Sequence, residues 1–250
     1  MAKQVGFLNL EQGSLGDTTF AKTKVGYTAH IRKSLAKGRW DKDPQFARSR
    51  ENASEFGITS TAARLLNKPC DLFFGSNEDI IAYSRLRAYL VKVVKTDQTS
   101  SSGKRNVLQE NAHHLVGFDL NPAASLRTVF NTRFTVRGNR DTGELGVSIP
   151  SFIPSQRIKA PKGTSHFRIS VSGSEVDFQN KNSKFKVFET EMIPFDDTAT
   201  GDMDVTLELH AASNIPLFLY LGLSFWNLGQ GDMYPVAQYK LNPACIVNVY

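Results

Sequence analysis

Between Leu126 and Leu209 apolar and polar residues alternate with a period of two. The apolar sets are Phe130, Phe134 and Val136; Leu145, Val147 and Ile149; Phe167, Ile169 and Val171; Phe185 and Val187; and Val205, Leu207 and Leu209. Successive side chains of a strand point to opposite faces, so this pattern predicts antiparallel strands with one face on a core. Turn signals separate them: Arg140-Asp141-Thr142-Gly143, Ser172-Gly173-Ser174, Thr200-Gly201-Asp202 and Gly229-Gln230-Gly231-Asp232. Short strands at this spacing imply a sandwich or barrel.

Leu217 to Trp226, LFLYLGLSFW, departs from that pattern. Leu217, Leu219, Leu221, Leu223 and Phe225 point one way, and Phe218, Tyr220 and Trp226 point the other. Both faces therefore need cover. One suits the strand core; the other calls for the helical first half of the chain or a second copy. Phe218, Tyr220 and Trp226 are the candidate seam, between domains or between subunits. The strand-like ACIVNVY that ends the sequence is expected in a sheet edge, its own or a neighbour's.

The first half reads differently. VGFLNL, TTFAKT and GYTAHI are short strand candidates, with QGSLGD as a turn after the first. Asp43-Pro44 is a helix start, because the aspartate accepts from an early N–H and proline is tolerated at the first helical position. Phe46, Ala53, Phe56, Ala63 and Leu66 then fall near one helical face, with Gly57 as a point of bending or interruption. A second helix is expected from a capping-box-like Ser76-Asn77-Glu78-Asp79 to about Lys95, its apolar face carried by Ile80, Tyr83, Leu86, Leu90, Val91 and Val94. Thr96–Asn106, dense in Ser, Thr and Gly, reads as a linker, and Val107–Leu115 as a short helix. The sum is an α+β chain: an N-terminal β-hairpin and helical layer, residues 1–116, packed against a C-terminal antiparallel β-sandwich, Ig-like or jelly-roll-like, residues 117–250.

Composition changes this picture little. In 250 residues the hydrophobic fraction is 40% and the charged fraction 22%, which suits a packed globular chain. MAKQVGFLNLEQGS lacks the basic start and long apolar run of a secretory signal, and LFLYLGLSFW is about half the roughly 20 residues of a membrane-spanning helix. No membrane span and a cytoplasmic location are expected. Cys70 and Cys245 are two isolated thiols, too few for a disulfide framework or a zinc site.

Charge is uneven. Residues 1–110 hold 18 Lys and Arg against 11 Asp and Glu, whereas residues 111–250 hold 12 against 13. Lys22, Lys24, Arg32, Lys33, Lys37 and Arg39 follow one another without an intervening acid, and Tyr27 and Trp40 are interleaved as stacking platforms. This is a candidate basic partner surface, for nucleic acid or for an acidic face of another copy.

Motifs that would name a reaction are missing. SSSGKR lacks the upstream glycine and the following Ser or Thr of a phosphate loop. Glu110-x-x-His113 has metal-bundle spacing without the second such helix, and His30, His166 and His210 sit in separate strand candidates. Asp196, Asp197, Asp202 and Asp204 place four carboxylates around Gly201, which reads as a solvated loop or, alternatively, an oxygen-ligand site for a hard cation. No catalytic residue and no cofactor is assigned.

Five stretches in order, VGFLNLEQGSLGDTTFAKTKVGYTAHIRK, DPQFARSRENASEFG, RNVLQENAHHLVGFDLN, SHFRISVSGSEVDF and PLFLYLGLSFW, resemble a family of uncharacterised bacterial proteins known mostly from Bacteroidetes. The resemblance covers most of the chain and implies a bacterial, non-secreted, single-unit architecture with no activity to transfer. Taken together, these observations predict a non-enzymatic structural or interaction protein. It would self-assemble into a homo-oligomer such as a filament, tube or other repetitive particle. The alternatives are a nucleic-acid-associated protein using Lys22–Lys42, and a β-sandwich ligand binder or enzyme whose site is assembled from distant residues.

Overall fold

A computed structural model of the chain describes residues 13–23, 26–31, 38–70, 73, 80–212, 214–236 and 241–250. It divides into two compact units, Met1–Arg50 and Glu51–Tyr250. The division falls at residue 50, and Glu51–Tyr250 holds both the helices expected before residue 116 and the strands expected after it.

In the first unit, β1 (Gly13–Leu15), β2 (Thr18–Thr23) and β3 (Gly26–Ile31) form an antiparallel sheet in that order. Gly13–Leu15, expected within a turn, is itself a strand, and VGFLNL lies outside the described residues. After a helical turn at Arg39–Lys42, the Asp43 carboxylate accepts from the Gln45 N–H at 2.9 Å and caps a 3-10 turn at Pro44–Phe46. The Arg50 guanidinium donates to the carbonyls of Trp40 and Asp43. The expected helix start is thus observed, and the helix proper, α1, runs unbroken through Gly57 over Ala47–Asn67.

The buried face of α1 keeps Ala63 and Leu66 of the expected face but not Phe46, Ala53 or Phe56. It is Glu55, Thr59, Ala62, Ala63, Leu65 and Leu66, while Phe56 is 50% exposed under the Arg87 guanidinium, 4.6 Å from its ring centre. Two polar residues occupy the inward face because they are satisfied there. Glu55 accepts from the Gly103 N–H at 2.9 Å and lies 3.8 Å from Arg105, and the Thr59 hydroxyl donates to the Phe56 carbonyl. A second helix, α2, covers Ile80–Val94 and buries Leu86, Leu90, Val93 and Val94. The Ser76–Asp79 cap lies outside the described residues.

Thr96–Asn106 is a packed loop rather than a linker. The buried Asp97 carboxylate gathers it by accepting from the Thr99, Ser100 and Asn106 N–H groups and the Thr99 hydroxyl. Burial by itself would raise its pKa, but the bonds from Ser100, Thr99 and Asn106 hold the carboxyl well below the usual range. Ser54 and Glu55 of α1 then bind the loop at Gly103. A helical turn at Gln109–Ala112 and a 3-10 turn at His113–Leu115 follow, as expected.

The strands of this unit are β4 (Thr135–Asn139), β5 (Glu144–Ile149), β6 (His166–Asp177), β7 (Asn182–Glu189), β8 (Ile193–Pro194), β9 (Met203–Glu208), β10 (Leu217–Gly229), β11 (Asp232–Pro235) and β12 (Ala244–Val249). All pairings are antiparallel. One sheet has the order β11-β10-β6-β7, with β12 beside β10 and β8 beside β6; the other has the order β4-β5-β9. Together they form a curled half-barrel. The β4–β5 turn passes so close to Leu209 and His210 that a Cβ on Gly143, at φ +75°, would lie 2.7 Å from their backbone.

Two apolar clusters flank β10. Leu217, Leu219, Leu221, Leu223 and Phe225 pack with Leu145, Val147, Ile169 and Leu207 of the sheets. Phe218 and Tyr220 pack with Ala63 and Leu66 of α1, Leu86 and Leu90 of α2, and Leu115. One expected inward pair fails: Phe185 and Val187 on β7 are exposed, because β7 is the last strand of its sheet and these two side chains stand outward.

Candidate functional site

A cleft of about 920 Å³ opens in the Glu51–Tyr250 unit. One wall is Leu126–Phe134, which runs from a helical turn at Leu126–Val129 into β4. The turn is capped at its start by the Asp119 carboxylate, which accepts from the Leu126 N–H at 3.0 Å. A second wall is Pro150–Arg157, the chain leaving β5 and turning at Pro154–Arg157. Backbone bonds from Asn131 to Arg157 and from Lys159 to Val129, each 2.8 Å, fasten these walls to each other. Cys245 and Val247 of β12 supply the far side.

The floor is apolar. Leu126, Phe130, Phe152 and Cys245 are buried there, with the rings of Phe130 and Phe152 edge to face at 5.5 Å and Phe134 stacked on Phe130 at 6.4 Å. The rim is cationic. Arg127, Arg133 and Arg157 are exposed, none has an ion pair with a carboxylate among the described residues, and no acid lines the cleft. Two carboxylates bond to the backbone of the cleft's walls, Asp119 at the Leu126 N–H and Asp202 at the Ser151 N–H, 2.7 Å. The Thr132 hydroxyl is buried and finds no partner among the described residues.

Cys245 is a poor nucleophile in this setting. Burial, with the Asp119 carboxylate beside it, pushes the thiol up to about 12, so the reactive thiolate is scarce at neutral pH.

A smaller notch of about 240 Å³ lies where β6, β7 and the chain after β9 meet. There His210 Nδ1 sits 2.7 Å from the buried Glu175 carboxylate, and the other ring nitrogen faces Lys184 Nζ at 3.4 Å. The lysine can only donate, so Nε2 accepts and Nδ1–H donates to Glu175. Both nitrogens are thereby occupied, and no base is left for a substrate.

The residues singled out from the sequence are dispersed. Lys22 is on β2 with its ammonium 5.4 Å from the Tyr27 ring centre, and Arg39 pairs with Asp43 at 3.1 Å. Lys24, Arg32, Lys33 and Lys37 lie outside the described residues. Phe218 and Tyr220 are fully buried within the chain between helices and sheet, which leaves neither surface for a second copy. Trp226 is half-buried, its indole N–H donating to the Ser224 hydroxyl at 2.9 Å.

The four aspartates do not converge. Asp196 accepts from the Thr198 N–H, Asp197 from the Ser155 hydroxyl and Asp202 from the Ser151 N–H. Asp204 is forked by Arg137, whose hydrogen bonds hold that carboxyl below its usual range. No group of three metal-ligating side chains occurs among the described residues. No helix among them is long and apolar enough to cross a membrane.

The cleft itself was not foreseen from the sequence. Its signal was RTVFNTRF, Arg127–Phe134, where two arginines and two phenylalanines interleave in a segment read only as the start of the β region. No protein-family model, no curated protein and no solved structure matches the chain.

Proposed function

We propose that the protein is a binding protein, and that the cleft between β4 and β12 takes an anionic ligand with an apolar body. The observation that carries this reading is the pairing of a buried aromatic floor with three arginines that have no carboxylate partner among the described residues. A cleft of 920 Å³ lies within the roughly 300–1,000 Å³ of ligand sites, and an apolar lining with a few oriented polar groups is their usual make-up. Binding rather than chemistry is favoured by the raised Cys245 thiol and by the fully engaged His210 imidazole. For the strands, a two-layer sandwich of the Ig-like or jelly-roll-like kind is the finer reading, supported by the cluster that Val147, Ile169, Leu207 and Leu221 share. A bacterial source of the Bacteroidetes type and a cytoplasmic location are proposed from the sequence alone.

The test is titration with 8-anilinonaphthalene-1-sulfonate, an anionic amphiphile, beside the uncharged N-phenyl-1-naphthylamine. One-site sulfonate binding is expected, weakened about tenfold or more by Arg127→Glu with Arg133→Glu and weakened by salt, while the neutral probe is indifferent to both. Sulfonate binding that ignores the arginines would remove the reading.

A further inference from the structure

The cleft lies at the place where the half-barrel stays open. Among the described residues β4 is the last strand of its sheet and pairs only with β5, and the Val247–Val249 part of β12 pairs only with β10. The two strands converge at one end, where a Cβ on Gly138 would lie 2.5 Å from the Tyr250 ring and the Arg140 guanidinium donates to the Tyr250 carbonyl at 2.7 Å. Towards the start of β4, Phe134, which immediately precedes that strand, and Val247 of β12 both line the cleft. Earlier along β12 the equivalent edge is already used: Gly117 and Leu120 donate to the carbonyls of Ile246 and Ala244, and the Phe118 carbonyl accepts from Ile246. That edge therefore accepts extended backbone, and the half next to the cleft has none among the described residues.

Resting on the reading that the cleft binds an anionic, partly apolar ligand, we propose that this ligand is an extended acidic peptide segment, added as a strand in the opening between β4 and β12. Strand addition supplies the main-chain hydrogen bonds that an open edge lacks, and alternate side chains of the added strand enter pockets on one face. Apolar residues of the peptide meet Phe130, Phe134 and Phe152. Its carboxylates meet Arg127 and Arg133, six residues apart on the segment that leads into β4, and Arg157 on the Pro154–Arg157 turn, a spread that suits charges placed along a segment.

The probe is an acetylated, fluorescein-labelled peptide of alternating glutamate and valine, read by anisotropy and by displacement of the bound sulfonate dye. Its controls are the lysine-for-glutamate counterpart and a version N-methylated on alternate amides, which keeps the side chains and removes the strand hydrogen bonds. The acidic peptide is expected to displace the dye and to lose about tenfold or more in affinity with Arg127→Glu and Arg133→Glu. Both control peptides are expected to bind at least about tenfold more weakly than the acidic one. The arginines are exposed, so these variants keep the fold, which an unchanged melting temperature verifies. Arginine-dependent dye binding that the acidic peptide fails to displace would overturn the peptide and leave a small anion as the ligand. Equal binding of the N-methylated peptide would overturn strand addition, and dye binding indifferent to the arginines would overturn the underlying reading itself.

Discussion

From Leu217 to Phe225 the two faces of β10 are both fully covered, yet by different means and over different distances along the chain. The face bearing Leu219, Leu221 and Leu223 meets other strands, whose inward residues alternate as its own do. The face bearing Phe218 and Tyr220 meets helices: the Tyr220 hydroxyl donates to the Leu66 carbonyl at 3.3 Å, across 154 residues, and Gly222 makes room for Phe73. A strand covered in this way is a shared wall between two cores. The open side of the same barrel, by contrast, holds the arginine-rimmed cleft, where wall strands have lost their partner rather than gained a second one.

The largest effects should separate the two cores. Phe218→Ala is expected to cost about 3–5 kcal/mol and Leu221→Ala about 2–5 kcal/mol in denaturant unfolding. Their hydrogen-exchange patterns should differ, with the first raising exchange mainly in α1 and α2 and the second in β5 and β9. If both variants raise exchange equally everywhere, there is one cooperative core and the distinction between faces has no energetic content.

Glycine substitutions sharpen the comparison at smaller cost. A Cβ on Gly222 would lie 2.4 Å from the Phe73 ring and 2.8 Å from the Pro243 carbonyl, whereas one on Gly173 would lie 3.3 Å from a Leu145 methyl. Gly222→Ala should therefore cost about 1–3 kcal/mol, partly recovered by Phe73→Leu, and Gly173→Ala less, because a leucine end yields more easily than backbone. Equal costs would mean that the helix-side contact is as compliant as the sheet-side one.

The effect that is smallest at neutral pH concerns Cys245, opposite Leu221 in the β10–β12 pairing. Its thiol rises from 9.0 to about 12 on folding, so its contribution is intact below pH 9 and is lost as pH climbs towards 12, at about 1.4 kcal/mol per unit. Cys245→Ala should show a shallower fall in stability over that window. Identical slopes for the two proteins would mean that the thiol is not buried as described.

The strands were legible because their signal is local. Alternation at Leu145–Ile149, Phe167–Val171 and Val205–Leu207 reports the pleat directly, and each set is buried as its period implies. Asp43-Pro44 was legible for the same reason, since a cap depends on a few neighbouring residues. Phe185 and Val187 alternate equally well and are exposed, because a period of two says which residues share a face and not whether anything lies against it. On α1 the inward positions were hidden by chemistry: Glu55 and Thr59 look like an outer face until Gly103 and Arg105 arrive from a loop about fifty residues away. The cleft was hidden similarly, its arginines being ordinary surface residues until two stretches of chain, Leu126–Phe134 and Pro150–Arg157, place them around one apolar floor.

By itself, then, the sequence determined the antiparallel strands, the start of the first long helix, and the need of β10 for cover on both sides. Tertiary structure alone decided that the helices of the same chain supply that cover, that Thr96–Asn106 is folded around Asp97, and that the barrel stays open between β4 and β12. The physical reason is range. Pleat, cap and turn preferences are settled within a few residues, whereas the burial of a charge, the covering of a face and the pairing of an edge depend on segments that only folding brings together.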